Sequence, residues 1–274
     1  MGESVISRYG WRGESDGSIA RVTCAHGDYC TVIGDAAGGE VLARTKKSSF
    51  PPGSPRPLAG DFVLFVHNPS GEGVITAVLP RFSHFERRDP SARRKAQTLA
   101  VNFDVLAVLM APGGDFSIPR ILRYLALAGD SGCSRIAVVL TKADLAPEWN
   151  MVPPRELLDA VAGRADVFCV SALTGAGMDR MRSLAAPRET LALLGSSGAG
   201  KSTMLNALAG EFLADVCEVQ EWSGRGRHTT TARRLYMLPS GAMVVDTPGV
   251  REIGGVGEID FALAKGASTH RWRK

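Results

Sequence analysis

Residues 191–206 read LALLGSSGAGKSTMLN, and this stretch decides the fold. An apolar run leads into Gly195-Ser196-Ser197-Gly198-Ala199-Gly200-Lys201-Ser202-Thr203, and a helical pattern follows. Strand, glycine-rich loop and helix in that order predict a P-loop nucleotide site. The glycines let the backbone approach phosphate and adopt conformations that a Cβ forbids. The loop amides form a nest for an anion, reinforced by the positive end of the following helix. Lys201 is the cation for the β- and γ-phosphates, and the Ser202 hydroxyl is placed to ligate Mg²⁺.

Working outward, the run IAVVL is followed by Thr141-Lys142-Ala143-Asp144. A carboxylate at Asp144 accepts from the guanine ring N–H and its exocyclic amine together. Adenine lacks that donor pair, so the segment selects guanine over adenine and argues against an ATP enzyme. The Lys142 stem packs over the base in this reading. After VFCV come Ser171-Ala172-Leu173, whose backbone N–H groups are expected at the base oxygen. Downstream, GRHTTT at 226–231 lies in a polar loop, where Thr229 or Thr230 is expected to close over Mg²⁺ and the γ-phosphate. After AMVV, Asp246-Thr247-Pro248-Gly249 supplies a carboxylate for Mg²⁺ and a Gly249 amide for the γ-phosphate. Ser202, Thr230 and Asp246 are thus the expected magnesium ligands. In ordinary GTPases the phosphate loop comes first. Here it follows the two guanine segments, so the site is read as circularly permuted.

The surrounding chain divides by texture. Residues 1–18 read as a loose lead-in. Residues 19–86 hold short β-runs and turns and are read as a small OB-fold-like barrel. Residues 87–100 read as a basic linker. Within RFSHFERRDPSARRKAQ at 81–97, six Arg or Lys face two acids, with Phe82 and Phe85 interleaved, a pattern compatible with RNA contact. Residues 101–254 alternate strands with amphipathic helices, which predicts an α/β domain with a mainly parallel, doubly wound sheet. Residues 255–274 form a short atypical tail.

Composition narrows the class. Hydrophobic residues make up 45% of the 274, and the net charge is +4, which permits an anionic partner without requiring one. No apolar run approaches a membrane span, and the N-terminus has no signal-peptide pattern. Cys24, Cys30, Cys133, Cys169 and Cys217 are scattered, odd in number and without CxxC spacing, so they read as reduced thiols of a cytoplasmic protein.

The segments VLTKADL, VSALTGAG, GSSGAGKST, GRHTTT and DTPGVRE, in this permuted order, resemble the bacterial ribosome small subunit-dependent GTPase A (RsgA) family. The resemblance implies an OB-fold followed by a permuted GTPase domain. It implies GTP hydrolysis with Mg²⁺, stimulated by the small ribosomal subunit, and a role in late maturation of that subunit through rRNA contacts. It also implies a C-terminal zinc domain. Residues 250–274 hold no Cys and only His270, so zinc ligands are absent there and truncation or a shifted frame is expected. In Ras-type enzymes a Gln after the DxxG glycine positions water; Val250 stands there, so slow intrinsic turnover is expected. His228 is then the best residue to orient water, with Lys201 and Thr230 stabilising the transferred phosphoryl group. A monomer is expected. The alternative reading is a GTP/GDP- and RNA-binding module with little hydrolysis.

Overall fold

The computed structural model describes residues 3–45, 50, 53–87, 97–213 and 233–247. The sequence suggests a loose lead-in, but a short helix, α1 (Val5–Arg8), forms there. Its N-cap is Ser4, whose hydroxyl accepts from the Ser7 N–H at 3.2 Å. Ile6 is fully buried beside Ile19 and Phe62, and Trp11 packs on the Phe62 ring at 5.1 Å. Burying these apolar side chains docks the segment.

Five strands follow: β1 (Ile19–His26), β2 (Tyr29–Gly34), β3 (Glu40–Thr45), β4 (Phe62–Val66) and β5 (Gly73–Val78). They pair in the order β1-β2-β3-β5-β4, and β4 pairs back onto β1. The barrel is therefore closed and leaves no unpaired edge strand. Alternation places Ala20, Val22, Val32, Ala43, Val63, Phe65 and Ile75 inside it.

An antiparallel ribbon comes next, β6 (His84–Arg87) with β7 (Gln97–Val101). Part of the stretch read as a basic linker is thus a strand. Phe85 is not an RNA-facing aromatic: it is buried with Leu99 and Phe103 against Leu106 and Tyr124 of the next domain. Phe82 is exposed, with the Arg12 guanidinium over its ring.

The α/β domain then runs β8 (Val105–Met110), α2 (Ile118–Gly129), β9 (Arg135–Leu140), α3 (Arg155–Val161), β10 (Asp166–Cys169), α4 (Met178–Arg182), β11 (Thr190–Gly195), α5 (Lys201–Ala209), β12 (Arg233–Met237) and β13 (Met243–Asp246). The sheet order is β10-β9-β8-β11-β13-β12, parallel except for β12. Strands β8 and β11 are buried along their whole length, as a sheet covered on both faces requires. Helix α2 contributes Ile121 and Tyr124 to the core on one face, and α5 contributes Met204 and Leu205 to the core on the other. The helices after adjacent strands β8 and β11 therefore leave on opposite sides. That is a topological switch point, and the crevice beyond its strand ends is where such sheets bind ligands.

The barrel joins this sheet edge to edge through β1 and β12, antiparallel, with Cys24 opposite Arg234. Beside that seam Arg21 is 1% exposed. Its guanidinium donates to the carbonyls of Tyr9, Gly60 (3.3 Å) and Asn102 (2.8 Å) and to the Thr190 hydroxyl (2.9 Å). It also lies 4.7 Å over the Phe62 ring. Burial pushes its pKa down to about 10, opposed by Asp104 and Asp61, so it stays charged at neutral pH. One side chain thus ties the N-terminal segment, the barrel and the α/β domain. Arg21→Leu leaves these acceptors without their donor, and the expected loss is about 3 kcal/mol of unfolding free energy. Urea unfolding of the two proteins measures it; a loss under about 1 kcal/mol would show that the clamp is dispensable.

Candidate nucleotide-binding site

The phosphate loop lies at the carboxyl end of β11. Gly198 and Gly200 have φ of +90° and +88°, the left-handed region. Gly195 is needed for another reason: a Cβ there would meet the Leu109 carbonyl oxygen at 2.8 Å. Ala199 is buried and fixes the loop floor, while Ser197, Ser202 and Thr203 face solvent. Lys201 begins α5 and is 8% exposed, its ammonium donating to the carbonyls of Gly195 (2.9 Å) and Ser196 (2.8 Å). Burial lowers its pKa, and Asp246 and then Asp115 oppose that shift.

The two loops expected to read the base stand beside it, after β9 and β10. Lys142 takes φ +52°, a left-handed turn unusual for a residue with a Cβ, and its stem lies along Gly200. Asp144 is exposed, and its carboxylate accepts from the Ser171 hydroxyl at 2.5 Å. Sequence reasoning assigned Ser171 only through its backbone. The geometry adds that its side chain aims Asp144, while the Thr174 N–H holds the Ser171 oxygen at 3.1 Å. Ala143 is buried, its N–H donating to the Val170 carbonyl at 3.1 Å, which locks the two loops together. Ala172 is half-buried and Leu173 is 83% exposed. Thr141 is 2% exposed, and its hydroxyl donates to Ala199 of the phosphate loop at 2.8 Å. It is a strut between base and phosphate loops.

Asp246 ends β13, level with Leu193 of β11. Burial raises its pKa, against the pull of Lys201. Thr247 is buried and donates to the Leu193 carbonyl. An exposed hydroxyl at Ser202 and a carboxylate at Asp246, flanking a lysine, are hard oxygen donors that fit Mg²⁺ held jointly with phosphate oxygens. His228, Thr229, Thr230 and Gly249 lie outside the described residues. Among the described residues no group of three His, Cys, Asp or Glu is arranged to hold a metal. Burial pushes the Cys30 thiol up to about 12 and Cys169 to about 11, so both are unreactive at neutral pH.

One residue escaped the sequence reading. Asp115, in the turn after β8, accepts from the Ser196 hydroxyl of the phosphate loop at 2.5 Å. The turn GGD carries no familiar motif, and the contact spans 81 residues of chain.

Comparison with known proteins places this arrangement. The family model described as RsgA GTPase matches residues 78–255. "Small ribosomal subunit biogenesis GTPase RsgA 1" of Listeria innocua is 38% identical over 239 residues, covering 86% of this chain and 66% of the relative. "Small ribosomal subunit biogenesis GTPase RsgA" of Leptospira interrogans is 34% identical over 273 residues, covering 92% of this chain and 71% of the relative. The chain thus spans about two thirds of the length of the curated relatives it matches. The crystal structure of YjeQ from Thermotoga maritima superposes with a TM-score of 0.61 at 25% identity, covering 85% of this chain and 74% of that one. YloQ, titled a circularly permuted GTPase, gives 0.54 at 18% identity over 85% of this chain and 71% of its own, and shows the fold. With a closed five-stranded barrel ahead of a permuted nucleotide-site sheet, the chain belongs to the RsgA GTPase family.

Proposed function

We propose that the protein is a GTP-hydrolysing switch acting in late maturation of the small ribosomal subunit, slow on its own and stimulated by that subunit. The observation that carries the reading is Asp144, aimed by Ser171, standing one strut from a phosphate loop. A fixed carboxylate for guanine and a nest for phosphate share one row of strand ends. The relatives named as small ribosomal subunit biogenesis GTPases supply the cellular context.

In this reading GTP lies with its base at Asp144, Ala172 and Leu173, over the Lys142 stem. Its phosphates lie against residues 195–203. Lys201 leaves the carbonyls of Gly195 and Ser196 for phosphate oxygens as the nucleotide enters. Ser202, Asp246 and Thr230 would hold Mg²⁺, which would supply charge neutralisation at the phosphates. His228 orients the attacking water, because Val250 offers no polar group for that task. The partner is the small subunit and its rRNA. On the barrel, exposed Tyr29 pairs across the strands with Arg44, an aromatic and a cation suited to RNA stacking. The protein works in the cytoplasm as a monomer. Among the described residues no helix is long and apolar enough to cross a membrane.

Asp144→Asn is expected to weaken GTP binding about 100-fold and to transfer preference to xanthosine triphosphate, because the amide donates where guanine donates. Competition with a fluorescent GDP analogue reads both values, and unchanged specificity would remove Asp144 from the base site. Hydrolysis at saturating GTP is expected to rise at least about tenfold when small subunits are added. Phosphate release with and without subunits decides this; equal rates would overturn the stimulated switch. His228→Ala is expected to lose most of the stimulated rate, on the order of 100-fold, with GTP affinity kept within about twofold. A collapse of affinity in that variant would make His228 structural.

A further inference from the structure

The crevice between β8 and β11 has two walls, and only one of them is the phosphate loop. The other is the turn at Gly113–Asp115, which opens with Gly113 at φ +79° and turns into α2. This turn presents Asp115 to the loop, with three bonds converging on its side chain. Oδ1 accepts from the Ser196 hydroxyl at 2.5 Å and from Arg120 Nη1 at 2.9 Å. Oδ2 accepts from the Ala111 N–H at 3.1 Å. The carboxylate is 18% exposed and its orientation is fixed from two sides.

A carboxylate beside a triphosphate site is electrostatically costly unless it is compensated. Arg120 compensates it and donates as well to the Asp115 carbonyl at 3.2 Å. What the pair keeps toward the loop is one strong acceptor. Ser196 is meanwhile held at its other end, where its carbonyl receives Lys201. When Lys201 moves to phosphate the Ser196 carbonyl keeps only the Ala199 N–H at 3.2 Å, and the bond to Asp115 is then the hold on its side chain.

The geometry points to Asp115 as a positioning residue of the nucleotide site, bracing the phosphate loop through the Ser196 hydroxyl while Arg120 neutralises it. Asp115 touches no substrate atom in this scheme and acts through Ser196. It is also one of the two carboxylates whose field reaches Lys201, so the brace favours the charged lysine as well. The inference rests on residues 195–203 being the GTP phosphate loop.

The test is a double-mutant cycle on the full chain with Mg²⁺. Ser196→Ala removes only the donated hydroxyl and leaves Asp115 its bonds to Ala111 and Arg120. Affinity for a non-hydrolysable GTP analogue is expected to fall about tenfold in S196A, with KM for GTP rising in step, kcat within about twofold and the melting temperature of the free protein unchanged. In an Asp115→Ala background the same substitution is expected to change affinity less than about twofold. If Asp115→Ala does not fold, Asp115→Asn is the second background, where the loss from S196A is expected to be smaller than in the native protein. An S196A protein that binds like the native one overturns the brace, and so does an equal loss in both backgrounds. Lys201→Ala separates the two levels of the argument. If it leaves GTP affinity intact, the phosphate-loop reading itself fails; if it abolishes binding while S196A has no effect, only the brace fails.

Discussion

Register between β8 and β11 is the constraint on which the site depends. Five residue pairs run in parallel from Leu191 opposite Val105 to Gly195 opposite Leu109. On its other edge β8 pairs with β9, with Leu109 opposite Val139. The base loop leaves from β9 and the phosphate loop from β11, so one strand sets the level of both. A shift of one residue would move one loop by about 3.3 Å relative to the other and exchange the side chains packed into the two buried faces. Such a shift exceeds the tolerance of a hydrogen bond such as Thr141 to Ala199. The close approach of Gly195 to the Leu109 carbonyl is the local mark of the same register.

Permutation alters which parts are neighbours in sequence and leaves this geometry in place. The loops read as guanine-binding come early in the chain and the glycine-rich loop late, yet β8 brings them together. Residues 214–232, which include GRHTTT, connect α5 to β12. Strand β12 is hydrogen-bonded to β1 of the barrel, Arg233 reaches the Thr98 carbonyl at 2.5 Å, and Arg234 pairs with Glu40 at 3.1 Å. The start of β12 is therefore anchored on the barrel and the β6–β7 ribbon. Arg21, buried beside the same seam, prevents the barrel from pivoting freely on a two-residue strand contact.

The sequence made the periodic elements legible and left the long-range polar ones hidden. Alternation in residues 19–79 located all five barrel strands, and the apolar runs located the six strands of the α/β sheet. Glycine spacing located the tight turn between β11 and α5, where Gly198 and Gly200 take positive φ. Arg21 carries no sequence signal, because nothing local in its β-run reveals that an adjoining domain covers it. Phe85 sat in a basic run and read as a surface aromatic, although its burial comes from contacts with Leu106 and Tyr124, elements later in the chain. Val5, Ile6, Tyr9 and Trp11 are the few apolar residues in a polar, Gly-rich stretch, too little pattern for a helix. Ser171 and Asp115 were missed as aiming and bracing groups because each acts through a single hydrogen bond formed only on folding.

Lys201 shows what the site must balance before any nucleotide arrives. A largely buried ammonium is disfavoured by desolvation, and two carbonyls alone compensate it weakly. Asp115 and Asp246 supply the missing negative field. The same two carboxylates then border the space where the proposed phosphates lie, and each needs a positive counterpart of its own. Asp115 has one built into the fold, Arg120. Among the described residues no arginine or lysine forms an ion pair with Asp246; Lys201 pulls on its charge from further off, and in the proposed reading the Mg²⁺ that enters with the nucleotide would complete the neutralisation. The site therefore has one side compensated by the protein and one side compensated by its ligand. In the proposed reading, that asymmetry lets the phosphate loop keep its shape on the Asp115 side while the Asp246 side responds to what is bound.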